Sequence, residues 1–439
     1  MPPHVPFNSI CRRCRAPTKR QFSTSRNHRQ QSLPSLPPLA GYASLPTRAL
    51  ISISGRDSTN FLQGLVTQNL LAPPNTVAPQ TGFYAAFLNA LGRVLNDVFI
   101  YPAPPNGEQS GTSPSSSSDP AYLIEVDKNE VPNLLKHLKK HKLRSKFTLR
   151  ALDDGELSVF ALWNEEDAGL FSEYNFELEN GQSPPFTCTD PRAPGFGFRF
   201  LAPESVVNER PIMPGDRVDF ATYNLRRILH GVPEGQTEIV RESALPMDSN
   251  MDVMRGIDFH KGCYLGQELT IRTHHRGVVR KRILPVQIYG VDEKMPLADT
   301  PVYHADTTLA LPPAGTNISK AGPRKGRSAG KFLSGVGNIG LALCRLELMT
   351  DIRLTDEPPQ YNPEQEFKVS WEADAEGADG KAGEVKVKAL VPPWTKDYIT
   401  TGGARGQSIS SAPKSNEELA AEMEKLSAQV EELEKRRDS

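Results

Sequence analysis

The run KGCYLGQE, Lys261 to Glu268, holds a cysteine near two glycines and beside a lysine, a glutamine and a glutamate. These residue types suit thiol chemistry. A thiolate ligates metals and attacks electrophiles, and nearby Lys261, Arg272, His274 and Arg276 favour thiolate over thiol. Gly262 and Gly266 let a backbone or a second surface approach closely. His260, His274 and His275 are close enough in sequence for a thiol–imidazole pair. The alternative for any single cysteine is a small buried hydrophobe.

The remaining cysteines add no metal site. Cys11 and Cys14 form a CxxC, but no second pair follows at zinc spacing. They lie in a start that has no acid before Asp57 and carries Arg12, Arg13, Arg15, Lys19, Arg20, Arg26 and Arg29, the composition of a mitochondrial presequence. RQFSTS, Arg20 to Ser25, resembles a matrix processing site cut near Phe22 or Ser23. Removing residues 1–22 takes away five positive charges, so a formal charge of -1 becomes -6. A mildly acidic mature chain argues against nucleic acid as the main partner. Cys188, Cys263 and Cys344 then remain, an odd number in a reducing compartment, which argues against a disulfide framework. Cys344, within the apolar run GLALCRL, reads as core.

The elements that must position Cys263 follow from periodicity. At 439 residues the chain suits two or three domains. No apolar run approaches the ~20 residues needed to span a bilayer. After a Ser- and Pro-rich lead-in to residue 40, the alternation in ALISISG predicts a strand. Asp57 or Ser58 caps a helix carrying Phe61, Leu62, Leu65 and Val66. Strands Gly82 to Leu88 and Val94 to Tyr101 flank the turn from Asn89 to Gly92. A polar loop, residues 102–120, separates this β-α-β-β run from a second one, formed by Tyr122 to Val126, the helix bearing Leu134 and Leu138, and strands Phe147 to Ala151 and Leu157 to Trp163. GFGFRF reads as a strand, and Arg217 to His230 as a helix stopped by Gly231 and Pro233. Arg226 and Arg227 on that helix are either anion contacts or paired surface arginines. From Arg280 the pattern turns to short strands in ILPVQIYG, TPVYHA, NIGLALCRLEL, DIRL, EFKVSWEA and EVKVKALVP, with long loops at Ala305 to Gly330 and Ala373 to Ala382, predicting an antiparallel barrel or sandwich. Asn416 to Arg437 carries an a/d rhythm that predicts a short coiled-coil-like helix.

KGCYLGQE, preceded by LPMDSNMDVMRGIDFH and followed by RTHHRGVVRKRIL, resembles the signature of the folate-binding YgfZ-type proteins, relatives of the glycine-cleavage T-protein; PRAPGFGFR and LRRILHGVPEG resemble further pieces of the family. Within it the resemblance is to the mitochondrial iron–sulfur assembly branch. It implies an α+β, T-protein-like folate-binding fold of two interwoven ferredoxin-like units plus a C-terminal β-barrel. The expected divisions are 1–40 presequence and lead-in, 41–279 folate-binding region, 280–395 barrel, and 396–439 linker and helix. The implied role is a mitochondrial matrix factor for maturing 4Fe-4S proteins. Its partners would be A-type scaffold proteins and client enzymes of aconitase type and radical-SAM lipoate synthase type. Cys263 would be its ligand or redox thiol on a transient shared iron–sulfur cluster, and tetrahydrofolate its cofactor, contacted by Asn89, Asp97, Arg227, Lys261, Tyr264, Gln267 and Glu268. The alternative is a tetrahydrofolate-dependent one-carbon transferase. The hairpin YAAFLNALGRVLNDVFIY resembles the T-protein element with paired acids near the folate, yet here the pair is Asn96 and Asp97, and an amide cannot serve as an acid–base group.

Overall fold

The computed structural model of the chain describes residues 33–71, 81–103, 119–165, 186–209, 215–322, 328–355, 360–372 and 382–401. The expected presequence and coiled-coil-like helix lie outside these residues, as do most of the 102–120 loop and of the Ala373 to Ala382 stretch. The first elements are β1 (Ala40–Ser44), β2 (Arg48–Ser54), α1 (Ser58–Gln63), β3 (Phe83–Leu88), β4 (Val94–Pro102), β5 (Ala121–Asp127), α2 (Val131–Lys142), β6 (Thr148–Ala151) and β7 (Ser158–Asn164). They lead to β8 (Thr187–Thr189), β9 (Phe198–Ala202), α3 (Glu204–Glu209), β10 (Asp216–Arg217), α4 (Phe220–Leu229) and α5 (Gln267–Arg276).

Two five-stranded sheets result, ordered β3-β4-β5-β2-β6 and β10-β1-β7-β9-β8. The first is antiparallel throughout, and the second has one parallel pair, β1 with β10. The chain starts in the second sheet, builds the first with β2 to β6, and returns through β7. That path is the interweaving the family resemblance implies. It also means that β5, α2 and β6 extend the sheet of β2 to β4, while β7 leaves to pair with β1. Periodicity predicts that a strand exists, but its partner is decided by which edge is open.

Leu50, Phe99, Tyr101 and Leu123 from the first sheet share a core with Val159, Trp163 and Leu201 from the second. Full burial of such side chains is worth roughly 1.5–3 kcal/mol each. On the far face of the first sheet, Leu62 of α1 and Leu134 and Leu138 of α2 cover Ile51, Val98 and Ile100. Strand β4 is thus buried on both faces. A bulge where Phe87 pairs Asn96 and Leu88 pairs Val94 shifts its register, leaving Leu95 on the helix-covered face and Val94 and Phe99 between the sheets. Helix α1 ends at Gly64, so Leu65 and Val66 follow it in a turn rather than extend it. Helix α4 starts at Asp219, whose carboxylate accepts the Thr222 N–H, and stops before Gly231 at φ +71.

The last part is a closed six-stranded barrel of β11 (Lys281–Tyr289), β12 (Asn317–Lys320), β13 (Gly330–Val336), β14 (Ile339–Arg345), β15 (Phe367–Trp371) and β16 (Gly383–Ala389). Closure leaves no strand edge open. TPVYHA and DIRL are irregular, while β12 falls in a stretch expected to be loop. With four residues and one fully buried apolar side chain, Ile318, β12 has too little alternation to announce itself. Leu225 and Ile228 of α4 pack on the barrel wall at Ile283, Leu333 and Leu341.

Candidate functional site

Cys263 is exposed at the apex of a tightly held loop, whereas Cys188 and Cys344 are buried. The hold begins below the thiol. The turn after α1 leaves carbonyls without helical partners, and Lys261 Nζ donates to those of Gln63 (2.8 Å), Val66 (2.7 Å) and Gln68 (2.8 Å). Asp258 N–H donates to the Thr67 carbonyl and Leu265 N–H to that of Gly64, at 2.9 and 3.0 Å. Lys261 was expected to act on the thiol as a cation; its ammonium instead braces the loop. Burial pulls its pKa down to about 8, with Asp258 opposing.

The glycines divide the work. Gly262 faces open space, while Gly266, at φ +81, sits against the Asn89 carbonyl and the Leu88 side chain. Gly92, at φ +74, in turn lies against Gly266 and Leu269. The β3–β4 turn and the start of α5 interlock because neither has a Cβ there. Asn89 shapes that turn, its Oδ1 accepting from Leu91 and Arg93 N–H at 3.0 Å. Gln267 Oε1 accepts the Tyr264 N–H at 3.0 Å. The Tyr264 ring is buried in the inter-sheet core, and Glu268 is exposed in the first turn of α5. Upstream, Asp252 grips Arg282 of β11 through both carboxylate oxygens at 2.7 and 2.8 Å, and Asn250 Nδ2 donates to the Ile283 carbonyl at 2.6 Å.

The histidines do not gather at the thiol. His260 is exposed beside Asp258, and His274 stacks on Phe259 with ring centroids 3.8 Å apart. Among the described residues, no group of three or more His, Cys, Asp or Glu could hold a metal ion, and Cys263 has no hydrogen-bond partner.

Between the sheets lies a second feature that sequence reading missed, a buried ionic network. Arg48 Nε donates to Glu125 at 2.8 Å and its Nη1 pairs with Asp97 at 3.3 Å. Arg199 bridges Glu125 and Glu234, and Arg192 pairs with Asp190 and Glu234 at 2.7 and 2.8 Å. Tyr101 and Tyr223 donate hydroxyls to Glu125 and Glu234 at 2.8 and 2.9 Å. Burial alone would raise the Glu234 pKa, but Arg199, Arg192 and Arg48 hold it well below the usual carboxylate range. The available signal was an arginine or glutamate inside apolar strand sequence, as in YLIEV and FGFRF.

Of the expected ligand-contact residues, this network takes in Asp97. Asn96 and Asp97 point to opposite faces of β4, so they do not act as a pair. Asn96 accepts from Arg241 at 2.9 Å, while Asp97 faces Arg48 and accepts from Gln236 Nε2 at 3.2 Å. Arg227 is buried and bidentate to Glu238 at 2.6 and 2.8 Å, and Arg226 is buried against Trp163 and pairs with Glu165. Neither is a surface arginine, and Arg227 is neutralised before any anion arrives. Beside Asp97, Tyr84 Oη and Gln236 Oε1 are buried without a hydrogen-bond partner.

The family model described as "CAF17, C-terminal beta-barrel domain" matches residues 280–397. Among curated proteins, the chain is 56% identical to "Iron-sulfur cluster assembly factor IBA57 homolog, mitochondrial" of Aspergillus fumigatus, covering 90% of this chain and 91% of that one. It is 55% identical to the like-named protein of Coccidioides immitis (92% and 95% covered) and 46% identical to that of Neurospora crassa (82% and 82%). Among solved structures, the glycine cleavage system aminomethyltransferase T from Bartonella henselae aligns with a TM-score of 0.52 at 13% identity, covering 81% of this chain and 86% of that one, a likeness of fold alone.

Proposed function

From the premise that the chain belongs to the family of mitochondrial iron–sulfur cluster assembly factors named IBA57, we propose that it serves in the matrix in maturing four-iron four-sulfur proteins, presenting Cys263 to an A-type scaffold protein. The protein is mitochondrial, as its relatives are. One observation carries the use of Cys263: an exposed thiol on a braced loop, with no companion metal ligands among the described residues. A lone donor of this kind completes a ligand set begun elsewhere. The transient cluster is cargo, and client enzymes of aconitase and lipoate synthase type receive it.

Tetrahydrofolate, in this reading, binds beside Asp97. Unpartnered buried polar atoms on Tyr84 and Gln236 suit the amide-rich face of a pteridine, which supports the fit. Arg227, Lys261, Gln267 and Asn89 are engaged internally, so these few atoms carry recognition. Asp97 is ion-paired to Arg48, which favours a bound ligand over acid–base turnover and weighs against the one-carbon transferase.

The test is complementation of cells lacking the protein, read as matrix aconitase activity, with anaerobic spectroscopy of the chain mixed with an A-type scaffold. Cys263→Ser should fold, fail to restore activity and give no shared-cluster spectrum. Full activity from that variant would refute the role of the thiol.

A further inference from the structure

Helix α2 carries a face of one charge sign. Between Glu130 and Asp153 the sequence has no acid, yet it holds Lys136, Lys139, Lys140, Lys142, Arg144, Lys146 and Arg150, on a chain whose formal charge is -1. Leu134 and Leu138 turn one side of α2 into the core under the first sheet. Lys136, Lys139 and Lys140, spaced i, i+3 and i+4, share the other side and are exposed. Among the described residues, neither these lysines nor Arg144 forms an ion pair. Arg150 pairs with Glu156, and Asp57, which accepts the Lys146 N–H at 2.6 Å, has Arg56 beside it. The helix dipole accounts for cations in the last turn, but not for Lys136 one turn earlier, which Lys140 repels. At the end of the cationic face stands Leu143, which closes α2 at φ 44 and ψ -111 and is 89% exposed. A single exposed leucine is ordinary. One held out in a positive-φ conformation, where helices end on glycine and a bulky side chain is strained, is not.

We propose that Lys136, Lys139, Lys140 and Arg144, with Leu143, form a face that docks α2 on an anionic phospholipid surface, the leucine entering the boundary between headgroups and acyl chains. Charge complementarity selects the occupant, and the leucine narrows it. Lipid phosphates accept ammonium groups without directional demands, and a polybasic strip with an apolar tip suits both layers of the interface. A nucleic-acid strand would call for an exposed aromatic to stack on, whereas Phe147, the aromatic of this segment, is buried. The contact is peripheral, since no described helix is long and apolar enough to cross a membrane. It does not depend on the role of Cys263.

The experiment is co-sedimentation with phosphatidylcholine vesicles, with and without about 30% phosphatidylglycerol, at about 50 mM salt. The chain used begins at Ser23, so that the basic presequence takes no part. The parent should bind only the anionic vesicles and leave them at about 500 mM salt. Lys136→Gln/Lys139→Gln/Lys140→Gln, which keeps good helix formers, should weaken binding about a hundredfold, at roughly fivefold per lysine. Leu143→Gly separates docking from folding. It should lose about fivefold or more in vesicle binding and yet melt no lower than the parent, because glycine adopts positive φ freely. No binding by the parent at low salt overturns the proposal, as does a triple variant that binds like the parent. If the triple variant loses binding while Leu143→Gly keeps it, the face is a general polyanion site and the lipid assignment is wrong. Capture of a single-stranded RNA oligonucleotide in place of vesicles, lost in the triple variant, overturns it equally.

Discussion

Replacing Lys261 by Met keeps most of the aliphatic stem and removes the ammonium from beneath the Cys263 loop. Three hydrogen bonds of 2.7–2.8 Å disappear, and bonds to a charged group are each worth roughly 1.5–3 kcal/mol. Against this stands the cost of burying the ammonium, roughly 3 kcal/mol for a pKa brought from 10.5 to about 8. A net loss on the order of 3 kcal/mol follows, because the carbonyls of Gln63, Val66 and Gln68 are left short of donors. Urea unfolding of parent, Lys261→Met and Lys261→Arg reads this directly. Lys261→Arg should fall between, since a planar guanidinium cannot point at three converging carbonyls at once. Limited proteolysis should also find the loop around residues 258–264 opened in Lys261→Met. A stability change below about 0.5 kcal/mol with an unchanged cleavage pattern would refute the bracing role.

The three cysteines of the processed chain should separate kinetically with a small thiol reagent: Cys263 reacts at once, and Cys188 and Cys344, whose pKa values burial pushes up, react only on unfolding. Fast labelling of two thiols in the native protein would contradict this. Gly266→Ala should cost about 2 kcal/mol or more by thermal melting, because a Cβ at φ +81 meets the Asn89 carbonyl across the interlocked turn; a neutral substitution would mean the turn is free to move. Glu234→Gln should destabilise by roughly 3–5 kcal/mol, since it breaks a buried pair. The Glu234 pKa is depressed in the fold, so its contribution is full above 4.5 and fades as pH falls below it; the parent–variant gap in urea stability should therefore narrow in acid.

What sequence made legible follows from what each signal encodes. Alternation located β2 to β5, β7, β11 and β14 to β16, and Gly231 with Pro233 marked the end of α4, because burial and backbone geometry are local properties. Strand pairing was not legible. Strand β7 carries the same pattern whether it joins β6 or β1, and the choice rests on contacts far along the chain. Residue roles near the thiol were harder still. Lys261 beside a cysteine reads as an electrostatic partner until the carbonyls after α1 are seen to need donors. Arg227 reads as a surface cation until Glu238 is found against it. Arg192 and Arg199 belong to a network whose acids come from β5, the turn after β8 and the loop after α4, so no window of sequence contains it.

The clasp between Asp252 and Arg282 closes a thirty-residue loop that has Cys263 on it, so the thiol travels on a tether anchored at both ends to the same place. Much of the ordering entropy of that loop is lost during folding rather than during encounter. A partner therefore meets a rigid presentation, and its off-rate, more than any rearrangement of this chain, sets how long a complex persists. The clasp also joins the thiol to the first strand of the barrel. Damage to the barrel would therefore reach Cys263 as looseness of position while leaving every residue of KGCYLGQE in place.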